Sequence, residues 1–492
     1  MHSLNPSRRG RLEVYESLSR NREAILREAE TLAADVGMPS ELAGRIGPTG
    51  ASSALPGTMR RSVLRQIEDG MLDLRAPRAI GDEIRHLVKS VYGDEYDAAL
   101  ANSCEAALGI AFDTLLTPPA VGIGEPYRAR VIGLLERHAE HQLSYGRPFP
   151  PIYKDIFADR GSTAGELGLL GRRRDHTDCV FIPMAGSRHE LHGMKMHPAP
   201  LLAGARAGET AAALARAASV HAANLTGFVS LGYDTPGYGY GERTADGAPL
   251  LQSEIGKLAR DYGVPYLCDN AWGTPFIGTN LRATGADVML FSMDKVAGAP
   301  TSGLIIGREW PMVNVRRALG VHSDRFGTTS AHGKGSHVSA DPGKMTMLGA
   351  LAALRLLRDE PDHFTRPIDL IFAIVEDECA KARGMLPEGI TIAKSYNLGG
   401  VELNYERSWA SGAVGIPIFT NEDRISGNHL LNQVAGRMGI LPGQSEDANV
   451  LFTAGLGTVD EEGELVEENM RLVVRSMLRA LGLLHGWAAG KN

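Results

Sequence analysis

Between residues 176 and 310 short, near-continuous apolar runs alternate with helical stretches, and this rhythm constrains the fold more than any other feature. TDCVFIPM, LTGFVSLGY, VPYLCDNA, ADVMLFSMD and SGLIIG read as buried strands, and PLLQSEIGKLARDYG reads as a helix between two of them. Strands without polar alternation are apolar on both faces, which predicts a mostly parallel sheet covered by helices on either side. In such a sheet ligands bind beyond the C-terminal ends of the strands. The polar residues that follow each run are therefore where chemistry is expected.

The 492 residues leave room for a second unit. Residues 12–36 show helical spacing with many charges, and residues 60–100 hold two further helical stretches around Ile80, Gly81 and Asp82. Residues 117–178 break the rhythm and read as an insertion. Residues 321–343, rich in Gly, Ser and His, read as a long loop. Residues 344–384 read as one long, mostly helical connection, and the remainder as a small α+β unit ending in the helix ENMRLVVRSMLRALGLLHGW. The expected organisation is an N-terminal arm over 1–75, a large α/β domain with a seven-stranded, mostly parallel sheet over 76–345, and a linking helix with a small C-terminal domain over 346–492.

The composition, 43% hydrophobic and 22% charged, is that of a globular protein. The net charge of −7 argues against nucleic-acid binding, which favours a basic stripe. Arg172, Arg173 and Arg174 form the one tight basic cluster and read as a solvated loop. No apolar run reaches the ~18 residues that span a bilayer, and the polar N-terminus lacks a secretory apolar stretch, so a cytoplasmic location without membrane contact is expected. Cys104, Cys179, Cys268 and Cys379 are far apart, which disfavours a disulfide framework or a zinc site, and Cys268 reads as core.

Two strand ends carry the strongest chemical signal. VPYLCDNAWG places Asp269 just past one apolar run, and ADVMLFSMDKVAGAPTSG places Lys295 just past the next. Pyridoxal 5'-phosphate needs this pair: a lysine amine condenses with its aldehyde, and a carboxylate keeps the pyridine nitrogen protonated. The alternative reading is a solvated Asp-Asn turn and a surface lysine. Asn102, Ser103 and Cys104 directly precede a helical stretch, where free N–H groups favour a phosphate; a simply capped helix explains them as well. Ser292, Thr301 and Ser302 are further phosphate candidates. Strand TDCVFIPM is followed by Arg188, His189, His192 and His197. An imidazole here would cover the ring; a metal site or plain loop histidines are the alternatives, and no metal is expected. Asp234 or Thr235, after LTGFVSLGY, could reach the ring's phenolic oxygen.

These residues resemble the fold-type-I (aspartate aminotransferase-like) pyridoxal phosphate enzymes, and within them the selenocysteine synthase (L-seryl-tRNA(Sec) selenium transferase) group. FSMDKVAGAPTSGLIIG is similar to that group's F-S-G-D-K-x-x-G-G-P-Q-A-G-I-I-x-G run, GSRHELHG to its S-R-G-E-L stretch, and KMTMLGALAALRL to its D-K-x-T-L-x-A-L-x-A-T-L helix. RPIDLIFAIVEDECAKARGML resembles the helix that follows, and the similarity spans about residues 95–115 and 178–385. The resemblance implies that Lys295 carries the cofactor, Asp269 pairs with the pyridine nitrogen, Ala271 lies beneath the ring, and Asn102 and Ser103 belong to the phosphate loop. HELHG also resembles the H-L-T-H-G of serine hydroxymethyltransferases, which implies His189 as the residue stacked on the ring. A homodimer or larger homo-oligomer is implied as well.

The chain departs from the group where TNSG is expected and ANSCE stands, and it has no basic tRNA-binding segment. The expected substrate is therefore a small free amino acid. Elimination or replacement at the β-carbon is the leading expectation, with decarboxylation, which uses oxygen in some relatives, and transamination as alternatives. A tRNA-dependent transferase and a non-catalytic binding protein on the same fold are competing readings. The substrate carboxylate needs a cation, for which Arg407 and Arg424 are candidates besides Arg188.

Overall fold

The computed structural model describes residues 17–48, 55–116, 130–135, 195–200, 206–222, 225–236, 239–319, 338–405, 430–441 and 448–490, with short pieces at 14, 50, 53, 407–409, 413–417, 443 and 445–446. Helices α1 (Arg22–Val36), α2 (Arg61–Leu72) and α3 (Pro77–Tyr92) precede the sheet. Its strands are β1 (Tyr96–Ala101), β2 (Arg130–Leu135), β3 (Lys195–Pro200), β4 (Leu225–Leu231), β5 (Tyr266–Asp269), β6 (Val288–Ser292) and β7 (Gly303–Arg308), in the order β1-β7-β6-β5-β4-β2-β3. Helices α4 (Cys104–Ala111), α5 (Ala207–His221), α6 (Leu250–Tyr262), α7 (Glu309–Ala318) and α8 (Lys344–Asp359) lie between or after the strands. β2 pairs in parallel with β3 and β4, β4 with β5, and β5 with β6, while β7 runs against β6 and β1. The expected seven-stranded, mostly parallel α/β sheet is present.

Alternation along the strands divides the core. Phe228, Tyr266, Cys268, Met289 and Phe291 face one cluster, with α3, α5, α6 and α8 covering it. Val229, Leu267, Val288, Leu290 and Ile305 face the other, against α4 and α7. Side chains two residues apart share a face, and both faces are dry, which is why the runs are continuously apolar. Burial pushes the Cys268 thiol up, as befits a core residue.

Two expectations change. Residues 130–135, read as part of an insertion, form β2 inside the sheet, because RVIGLL is itself a short apolar run. β1, the Ala-rich YDAALA, is a fully buried strand that weak β-propensity concealed. The mostly helical connection read over 344–384 consists of two successive helices, α8 and α9 (Asp362–Lys381), matching the two helical stretches of the resemblance. Glu360 leaves helical geometry at φ −133°, ψ 55°, because the residue before Pro361 is crowded by the proline ring. TDCVFIPM lies outside the described residues.

A second, antiparallel sheet holds β8 (Thr391–Ser395), β9 (Gly400–Asn404), β10 (Ser445–Glu446) and β11 (Asn449–Thr453) in the order β10-β11-β9-β8. It packs with α9, α10 (Leu430–Arg437) and α11 (Glu467–Ala488), and the N-terminal helix α1 joins the same apolar cluster through Ile25, Leu26 and Ala29. Among the described residues no helix is long and apolar enough to cross a membrane.

Phe291, 1% exposed on β6, is a central core residue, whereas Leu72 is 84% exposed. Phe291→Ala is expected to lower the unfolding free energy by about 3–5 kcal/mol, and Leu72→Ala to change it by less than about 0.5 kcal/mol. Urea unfolding of both variants checks the assignment.

Candidate functional site

The sheet register brings four strand ends to one edge. Leu231 is opposite Asp269, Asp269 opposite Leu290, Ser292 opposite Gly303, and Gly303 opposite Ala101. β4, β5, β6 and β1 therefore all finish on this edge, and β7 begins there. Asp269 to Trp272, Ser292 to Lys295, Tyr233 to Thr235, Ser302, and Asn102 to Cys104 share it.

Lys295 is only 6% exposed, and its Nζ lies 5.7 Å from the centroid of the Trp272 indole. Trp272 in turn meets the Tyr233 ring at 5.4 Å. Asp269 closes β5, and its Oδ1 accepts the N–H of Ala271 at 3.1 Å, which turns the chain at the foot of the strand. The Lys295 loop is backed by an N-terminal strap: the Gly57 N–H donates to the Asp294 carbonyl at 2.9 Å. A Cβ on Gly57 would collide with the Lys295 carbonyl, so only glycine permits this approach.

At the end of β1, Ser103 caps α4 by accepting the Ala106 N–H at 3.1 Å, and Asn102 donates through Nδ2 to the Ser339 carbonyl at 2.9 Å. The start of α4 lies against the start of β7, because a Cβ on Gly303 would strike the Ser103 carbonyl. This places the N-terminal N–H end of an eight-residue helix beside Cys104 at the same edge.

Other predicted residues have engagements the sequence did not suggest. Ser292 donates to Asp294 at 2.7 Å, and Ser302 donates to the Pro300 carbonyl at 2.9 Å. Asp234 is engaged by the second sheet. Its carboxylate accepts from the Ser395 hydroxyl at 2.5 Å and from the Asn397 N–H at 2.9 Å. Thr235 likewise donates to buried Glu402 at 2.7 Å. Both contacts arise because β8, β9 and the turn between them meet the end of β4. Arg407 is exposed on a turn beside Gly389. Arg188, His189, His192 and Arg424 lie outside the described residues, as does the Arg172–Arg174 cluster.

The sequence reading missed the residues that join the two units. Asn270 and Asn397 exchange hydrogen bonds at 2.9 and 2.7 Å, and Asn397 Oδ1 also accepts the Thr279 N–H at 2.8 Å. Both amides are buried, at 2% and 0% exposure. Asn270 sits between Asp269 and Trp272, so this pair fixes the turn that carries both. DNAWG offered a signal for Trp272; nothing local identified the partner in SYNLGG.

No family model matches the chain. Solved structures similar to it include the SepCysS–SepCysE N-terminal domain complex, 11% identical, covering 89% of this chain and 96% of that one with a TM-score of 0.48. Alanine–glyoxylate aminotransferase from Nostoc sp. is 14% identical over 90% of this chain and 97% of that one, with a TM-score of 0.48. D-glucosaminate-6-phosphate ammonia-lyase is 14% identical over 92% and 98%, with a TM-score of 0.44. Likeness at this level is too loose to assign an activity.

Asn397→Ala strands the Asn270 amide and the Thr279 N–H in a dry interface, and is expected to cost about 1–3 kcal/mol for each group left unpaired; chemical denaturation measures the loss. Desolvation raises the Asp234 carboxyl above its usual range, against the hydrogen bonds from Ser395 and Asn397 that lower it. A folded-state pKa above the unfolded one means that the folded chain holds this proton longer. The stability Asp234 contributes is then full below about pH 3.9 and is lost as pH rises through its folded pKa. The difference in unfolding free energy between the wild type and Asp234→Ala should narrow over that rise, and a gap that widens contradicts the assignment.

Proposed function

We propose that this chain is a pyridoxal phosphate-dependent enzyme of the lyase or transferase class, acting at the α-carbon of a small free amino acid. The observation that carries the reading is the buried Lys295 beyond the end of β6, with Asp269 at the end of the adjacent parallel strand β5. The residues fit the cofactor in three respects. Lys295 offers an enclosed amine beside Trp272, Asp269 a carboxylate on the same edge, and α4 a helix N-terminus at the end of β1. When bound, pyridoxal phosphate supplies an electron sink for the bonds at the substrate α-carbon.

The chain's own residues divide the remaining work. Lys295 is the group to hold the cofactor aldehyde and to take or return the α-proton at Nζ. Asp269 is the group to keep the pyridine nitrogen protonated, held in place by its bond from the Ala271 N–H. Trp272 and Tyr233 exclude water beside Nζ, which strengthens electrostatic interactions there. Asn102, Ser103 and the first N–H groups of α4 are the candidates for the phosphate. Reaction at the β-carbon, by elimination or replacement, remains the preferred outcome on the sequence resemblance, and a cytoplasmic homodimer the preferred state.

Purified protein saturated with pyridoxal phosphate is expected to show a visible absorption band that borohydride bleaches while fixing the cofactor covalently to Lys295. Lys295→Ala should lose that band and reduce turnover by about 10²–10⁴-fold or more. Asp269→Asn should keep the covalent link but slow turnover by about 10²–10³-fold. Incubation with a panel of amino acids, following ammonia, keto acid and carbon dioxide, separates the reaction types. A wild-type protein that retains no cofactor after saturation sinks the proposal.

A further inference from the structure

A second feature lies on the backbone side of the Lys295 loop. A cavity of about 40 Å³ is lined by Thr58 and Arg60 of the N-terminal strap, Val296 and Gly298 of the loop, and His363 and Phe364 at the start of α9. The Arg60 guanidinium lies 3.9 Å from the Phe364 ring centroid and donates through Nη2 to the His363 carbonyl at 2.9 Å. Its Nη1 is buried, as is Thr58 Oγ1, and neither has a hydrogen-bond partner among the described residues. Buried donors are rarely left unsatisfied, and a buried guanidinium nitrogen least of all.

The surrounding charges do not complete Arg60. Glu360 and Glu464 face it, but both also lie beside His363, at 3.0 and 3.6 Å, and Glu464 lies 3.8 Å from Arg366. Burial lowers the Arg60 pKa more than these two carboxylates raise it, so the cation is under-compensated. A water needs roughly 10–15 Å³ of such space, so the cavity has room for a halide or the head of a carboxylate.

We propose that this cavity is a binding site for a compact monoanion, a halide or a carboxylate head, held by Arg60 Nη1 and Thr58 Oγ1. The site is separate from the side chain of Lys295 and does not depend on the cofactor reading. Its occupant lies between the strap and the residues directly after Lys295, so it fastens the strap that already bonds Asp294 through Gly57.

The test uses the full chain in two ways. Crystals soaked in sodium bromide should show an anomalous bromine peak in contact with Arg60 and Thr58. In solution, formate at constant ionic strength should raise the thermal midpoint saturably. Loss of a charge-assisted hydrogen bond predicts that R60Q weakens this binding about 10- to 100-fold, with a smaller effect for T58V. Only water in the cavity of the bromide-soaked wild type, or an equal formate response in wild type and R60Q, overturns the proposal. If R60Q does not fold, the wild-type anomalous map and T58V still decide it. Because no readout involves pyridoxal phosphate, failure here is distinct from failure of the proposed activity.

Discussion

The parallel register of β4, β5 and β6 is the constraint on which the candidate site depends. Parallel strands must each return through a crossover to the same starting edge. Their C-terminal ends consequently gather on the opposite edge, and every polar residue that follows a strand is delivered to one place. Leu231, Asp269 and Leu290 stand side by side across these strands. β7, the antiparallel member, extends the effect by letting β1 finish on the same edge through the pairs Ser292–Gly303 and Gly303–Ala101.

Register alone does not hold the turns beyond the strands in shape. That falls to buried polar contacts between the large sheet and the β8–β9 turn. Asn270 and Asn397 satisfy each other, Asp234 holds Ser395 and the Asn397 N–H, and Thr279 closes the group. In a dry interface each of these groups would be costly without its partner, so the network tolerates one geometry and rejects others. The turn carrying Asp269 and Trp272 inherits that rigidity. The Lys295 loop is held from the other side by the Gly57 strap and by Val296, against which the turn residue Gly399 packs.

Much of the sheet was legible because its signal is local. The runs that became β4, β5, β6 and β7 are apolar over their whole length, and Asp269 and Lys295 stand out as charges directly after them. β1 escaped because alanine, a weak strand former, fills half of it, and β2 because a single short apolar run stood inside a stretch that otherwise broke the rhythm. The helix break at Glu360 is signalled locally by Pro361 and falls between the two helical stretches that the resemblance marks. The partners of Asp234 and Thr235 were not legible for a different reason: Ser395, Asn397 and Glu402 are far away in the chain.

Sequence by itself determined that an α/β sheet forms, which apolar runs are followed closely by a carboxylate and by a lysine, and that a helix starts after Asn102. These follow from periodicity, side-chain volume and capping, all of which act over a few residues. Only the tertiary structure decided which strand ends share an edge, that Trp272 covers the Lys295 amine, that α1 belongs with the C-terminal unit, and that Arg60 and Thr58 face a common cavity. Those outcomes depend on strand order and on packing between distant segments, where the free energy of burying one surface is set by whichever other surface meets it.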